Sequence, residues 1–209
     1  MAPSDTRTQI LDAAEHLFAE RGYRGTSVRA VTDLAGANLA AVGYHFGSKA
    51  ALMTAVVRRA IEPIIAAQSA GLDRLLAQAP DPPVTELVEA FAGPLFDEMP
   101  ARGEGGARTS RLIVTILTDP AEEVRSWTGP AEDTVGERYL AAFARALPGL
   151  SPEELFFRMR GLLAVVAVDR VDAYNPPASA SPSPVAGEAA RRWAITFLAA
   201  AMSAPPTGT

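Results

Sequence analysis

The chain has 209 residues, 48% of them apolar, with no cysteine and a formal net charge of −5, of which residues 1–60 hold a net +2 and the remainder −7. That length and apolar content allow a sizeable core, and the lack of cysteine excludes disulfides and thiolate metal sites, so a reducing cytoplasm is the expected setting. No apolar run approaches the roughly 20 residues of a membrane span, and the N-terminus lacks the basic-then-apolar order of a signal peptide.

Apolar residues recur at helical spacing along almost the whole chain and no stretch alternates with period two, so the fold class is all-α, with about nine helices. The first helix is expected over 6–21, with capping-box spacing at Thr6 and Gln9 and an apolar stripe of Ile10, Leu11, Ala14, Leu17 and Phe18. Gly22 ends it. Thr26 or Ser27 caps the second helix, whose Val28, Val31 and Leu34 face inward, and Gly36 ends that one. Asn38 caps a short third helix over 39–46, stopped by Gly47. Ser48 then caps a long fourth helix with Leu52 and Val56 on one face and Pro63 as an expected kink. The second and third helices meet across Ala35-Gly36-Ala37, which is the helix-turn-helix arrangement.

Beyond a Pro-rich linker at 78–84, a fifth helix is expected over 84–99, bent at Gly93-Pro94. The glycine-rich 101–107 segment follows no strand and lacks a Lys-Ser/Thr pair, which argues against a nucleotide loop. Further helices are expected over 108–117, over 120–147 with a break at Gly129-Pro130, over 151–174 with a Ser151/Glu154 capping box, and over 188–202. The 175–187 segment is low-complexity and the end of the chain, SAPPTGT, is expected to be disordered.

The stretch VGYHFGSK, 42–49, contains one of the two histidines and the single lysine. His45 has no histidine or cysteine at ligand spacing, and neither a nucleophile elbow nor a paired-carboxylate pattern is present, so no catalytic residue, metal or cofactor is expected. Nucleic acid accounts for more of the stretch. Tyr44 and His45 close the second helix of the helix-turn-helix and can donate to phosphate oxygens. Ser48 and Lys49 open the next helix, where free N–H groups and the dipole already favour an anion. Phe46 is assigned to the core.

The segment GYRGTSVRAVTDLAGANLAAVGYHFGSKAAL, 22–52, resembles the DNA-binding segment of the TetR (tetracycline repressor) family of bacterial transcription regulators. The resemblance covers about residues 6–60 through Ala13-Ala14, Phe18, Gly22, Thr26-Ser27, Val31, Ala35-Gly36, Tyr44-His45-Phe46, Ser48-Lys49 and Leu52. NLAAVGYHFGSK, with SPEELFFRMRGLL further on, resembles a subgroup that includes fatty-acid-responsive members. The resemblance implies an N-terminal DNA-binding domain over 1–47, a ligand-binding and dimerisation domain over 48–204 and a tail over 205–209. It further implies a homodimer that sets its third helix into the major groove of each half of a palindromic operator. Expected DNA contacts are Thr26, Ser27, Arg29, Asn38, Leu39, Ala40, Ala41, Gly43, Tyr44, His45 and Lys49. Where subgroup members often carry Asn before Tyr-His-Phe, this chain has Gly43, which cannot read a base through a side chain; thymine methyls, Asn38 and Tyr44 then remain for base contact.

In the larger domain, the last two helices are apolar over broad arcs, as helices covered on two sides are. Leu155, Leu162, Leu163 and Val166 on one, with Trp193, Phe197 and Leu198 on the other, are the expected dimer contacts. An effector cavity is expected among Phe91, Leu95, Phe96, Ile113 and Ile116, with Leu117, Trp127, Tyr139, Phe143 and Met159. Its apolar lining suits a lipophilic effector such as an acyl compound. The reading is a non-enzymatic cytoplasmic regulator, a repressor released by its effector; the alternatives are an activator, or a small-molecule-binding protein without specific DNA readout.

Overall fold

The computed structural model describes residues 3–97, 112, 134–171 and 188–206. Among them are eight helices and no strand: α1 Pro3–Gly25, α2 Val28–Ala35, α3 Leu39–Phe46, α4 Lys49–Gln78, α5 Val84–Asp97, α6 Val135–Ala146, α7 Pro152–Val171 and α8 Glu188–Met202. None of them is long and apolar enough to cross a membrane. The expected 108–117 helix lies outside the described residues except for Leu112. The described residues form two compact units, one of residues 3–63 with Leu112 and the other of 64–97, 134–171 and 188–206.

The first unit is built on the predicted α1 stripe. Ile10, Leu11, Ala14, Leu17 and Phe18 are buried against Val31 of α2, Val42 of α3, and Leu52, Met53, Val56 and Val57 of α4. Gly22 breaks α1, with φ 68° and ψ 176°. Two left-handed glycines place α3. Gly36 (φ 62°) ends α2 and lets Ala37 N–H reach Thr32 O at 2.9 Å, and Gly47 (φ 80°) ends α3. A side chain at either φ meets the steric cost that glycine avoids. Arg59 ties α4 to α1, its guanidinium 2.7 Å from Asp12 Oδ1 and 2.6 Å from Glu15 Oε2. One expectation for α2 fails. Leu34 is exposed, because Val28, Val31, Thr32 and Ala35 make the inward stripe and Leu34 lies about 200° round the helix from Thr32.

In the second unit, α5 packs against α6, α7 and α8. Both α4 and α5 continue as helices through Pro63 and Pro94. The expected helix end at Met99 lies outside the described residues. α6 starts at Val135 under a complete capping box between Thr134 and Glu137. A buried polar link crosses the core: Gln68 Nε2 donates to Phe91 O at 2.7 Å, and Tyr139 Oη donates to Gln68 O at 2.9 Å. Burial pushes the Tyr139 hydroxyl well above the ordinary tyrosine range. Arg158 holds the chain beyond α8. Its guanidinium donates to Met202 O at 2.8 Å, Ala204 O at 2.6 Å, Pro205 O at 2.9 Å and Glu154 Oε1 at 2.6 Å. Residues 203–206 are therefore fixed to α7, where the sequence predicts a disordered tail; residues 207–209 lie outside the described set.

Two predicted residue sets are sorted by burial. Phe91, Leu95, Phe96, Tyr139, Phe143 and Met159 are buried, the Phe91 and Tyr139 rings 4.9 Å apart, and none of them lines the cleft between α4, α5 and α8. Ile113, Ile116, Leu117 and Trp127 lie outside the described residues. The cleft, of about 480 Å³, runs between α4, α5 and α8 past Gly71, Arg74, Glu89, Asp97 and Arg191. Arg191 bridges it, 2.8 Å from Asp97 Oδ1 and paired with Glu89.

The dimer set divides in the same way. Leu155, Leu162, Val166 and Leu198 are buried in the single chain and Leu163 is partly buried. Trp193 and Phe197 of the predicted set are exposed on α8, and Phe156 and Phe157, outside that set, are exposed on α7. Periodicity marks both faces of α7 as apolar, and only packing decides which one α5 and α8 cover.

Candidate nucleic-acid interface

α3 is held at its start by Asn38, whose Oδ1 accepts the Ala40 N–H at 3.0 Å, and on its inner side by Val42 in the core. Ala41 and Phe46 are partly buried against the same core. That leaves Asn38, Leu39, Ala40, Gly43 and Tyr44 facing outward, with Tyr44 84% exposed. His45 is partly exposed, and its ring meets the Tyr44 ring edge-on at 5.0 Å. Of the expected α3 contacts, all but Ala41 and His45 are therefore fully on the outer surface.

The flanking positions have their own geometry. Ser27 is exposed and caps α2 by accepting the Ala30 N–H at 3.1 Å, and Arg29, two residues on, is exposed. Thr26 is a correction. It is 1% exposed, and its hydroxyl proton lies between Leu17 O at 3.0 Å and Gly22 O at 2.9 Å, so it locks the end of α1 and cannot contact phosphate. Ser48 caps α4 by accepting the Ala51 N–H at 3.0 Å.

Lys49 Nζ lies over the Tyr23 ring, 4.2 Å from its centroid, and partial burial pulls its pKa below the ordinary lysine value. Arg7 sits over the Phe46 ring at 5.2 Å. Tyr23 and Arg7 are absent from the predicted set. Both act through contacts between distant parts of the sequence, which periodicity does not carry. The resulting surface is an outward helix face without charge, bordered by a helix N-terminus with one lysine and by an exposed arginine. Those are the elements that fix a helix in a groove through backbone N–H and basic contacts to phosphate.

A family model described as bacterial regulatory proteins, tetR family, matches residues 10–56, and one described as tetracyclin repressor-like, C-terminal domain, matches residues 89–201. The chain belongs to the TetR family. Over 56 residues it is 39% identical to the HTH-type transcriptional repressor AcnR of Corynebacterium glutamicum, covering 27% of this chain and 30% of that protein. Over 55 residues it is 44% identical to the HTH-type transcriptional repressor KstR2 of Rhodococcus jostii, covering 26% of this chain and 27% of that protein. The match thus spans less than a third of either relative's length.

Solved structures extend the likeness of fold to the whole TetR chain. The TetR family regulator PfmR of Thermus thermophilus aligns over 95% of this chain and 96% of its own, with a TM-score of 0.58 at 22% identity. The multidrug binding protein EbrR, complexed with imidazole, aligns over 97% and 96% with a TM-score of 0.51 at 23% identity. The relatives are named as transcriptional repressors, and the model that matches residues 10–56 is described as bacterial regulatory proteins.

Proposed function

We propose that the protein is a cytoplasmic repressor that binds a palindromic operator as a homodimer and is released by a small molecule. The observation that carries the reading is the outer face of α3. It is exposed from Asn38 to Tyr44 along one side, while Val42 anchors the other, and Ser27, Arg29, Ser48 and Lys49 stand at its borders. Set into a major groove, Tyr44, His45, Lys49 and the α4 N-terminus contact phosphate, and the centre of α3 meets the base edges.

Homodimerisation is supported by the four exposed rings of α7 and α8. The effector reading is supported by the family and by the ligand named for EbrR; an acyl compound is the class that the apolar residues of the sequence suit. α4 has residues in both units and is the element through which effector and operator compete. Such coupling is reciprocal, so the operator must weaken the effector by the same factor.

Selection of bound sequences from a random duplex pool at about 0.15 M salt tests the reading, because specific sites bind about 10³-fold or more tighter than random DNA. Enrichment of an inverted repeat supports it. A folded protein that enriches no motif overturns it.

A further inference from the structure

Gly43 occupies the middle of an eight-residue helix, where glycine is destabilising relative to alanine. Its own chain does not require it. Among the described residues the positive-φ glycines are Gly22, Gly36 and Gly47, so Gly43 is not one of them. A Cβ built at Gly43 meets no heavy atom within 4 Å. At two other helical glycines a Cβ would be crowded: at Gly71 it comes within 3.2 Å of Ala90 Cβ, and at Gly93 within 2.8 Å of Arg191 Nη2, the far end of a flexible side chain. Gly161 is also open, and it lies on the exposed side of α7.

The neighbours of Gly43 are equally specific. The outer face of α3 carries no charged side chain. Bidentate base readers are Arg or Lys for guanine and Asn or Gln for adenine. Asn38 is the one such residue, and its Oδ1 is already committed to the Ala40 N–H. Leu39, 56% exposed, and Ala40 are the side chains next to Gly43. The major-groove feature complementary to them is the 5-methyl group of thymine.

We propose that Gly43 is the point of close backbone approach of α3 to the base pairs, and that Leu39 and Ala40 beside it read thymine methyl groups by apolar contact. This rests on the DNA-binding reading above and specifies the chemistry of the half-site. It predicts effects of opposite sign from one substitution. Gly43→Ala raises the melting midpoint by about 2–4 °C, since it improves helix propensity without a clash. The same change weakens binding to the duplex recovered by selection by about 5- to 150-fold, the range of one lost base-pair contact.

A second arm replaces thymine by deoxyuridine in that duplex, one position at a time. Each contacted methyl removed should weaken binding about fourfold, the transfer free energy of one buried methylene. A stabilised Gly43→Ala protein that binds as tightly as the parent overturns the inference. So does full-strength binding to the deoxyuridine duplexes. In both cases sequence-specific binding by the parent leaves the DNA-binding reading standing, whereas failure of the parent to select any sequence removes both.

Discussion

Trp193→Asp should dissociate the proposed homodimer and leave the fold of each subunit intact. Phe156, Phe157, Trp193 and Phe197 are between 56% and 73% exposed in the single chain. Aromatic side chains bury about 150–250 Å² each, so the four present roughly 500 Å² per subunit and about 1,000 Å² for a symmetric pair. That reaches the area of about 1,000 Å² that a specific interface must clear. Trp193 supplies about 150 Å² of it and, under twofold symmetry, is lost twice. At about 25 cal/mol per Å² the gross loss is about 7 kcal/mol per dimer. Truncation of a central aromatic typically leaves ~2–4 kcal/mol of this as measured loss, so the dimer Kd should rise at least about 30-fold. Sedimentation equilibrium over a protein concentration series reads that shift, and circular dichroism checks the helices. A parent protein that is monomeric at tens of micromolar refutes the assignment of this face, as does a Trp193→Asp protein with unchanged Kd.

Three further substitutions separate contact roles from packing roles. Lys49→Ala should weaken binding to every duplex alike and lower the slope of log K against log salt by about one unit per subunit; a loss confined to one sequence contradicts the phosphate role. Thr26→Val should cost about 1–3 kcal/mol of stability in denaturant titration, because the buried Leu17 carbonyl and the part-buried Gly22 carbonyl lose their shared donor, and should leave the salt slope unchanged; an altered slope restores Thr26 to the DNA surface. Arg158→Ala should cost about 1–3 kcal/mol for the charge-assisted bonds it removes, and the amides of residues 200–204 should exchange faster; unchanged exchange shows that the end of α8 does not depend on the clamp.

Local chemistry was the most legible part of the fold. Side-chain caps at Ser27, Asn38, Ser48 and Ser151 follow from short polar residues ahead of apolar periodicity, and the predicted 188–202 helix matches Glu188–Met202. The α1 stripe was legible for the same reason, since one face of that helix is apolar and the other is not. α7 was not. Leu155 and Phe156 are adjacent and equally apolar, and one is buried while the other is exposed. Periodicity says that such a helix is covered on two sides and cannot say by what. Thr26 was ambiguous because a cap and a buried tie use the same hydroxyl, and the deciding acceptor, Leu17 O, lies nine residues away. The Arg158 clamp spans more than 40 residues and leaves no local trace.

The most direct test of paired reading heads uses the duplex recovered by selection and a copy with about five base pairs inserted at its centre. Half-sites about one helical turn apart face the same side of the DNA, and the insertion turns one of them to the opposite side. Paired heads predict that affinity falls about 10³-fold or more, to the level of random DNA. Equal affinity for the two duplexes would contradict it, because each α3 would then bind its half-site without reference to a partner.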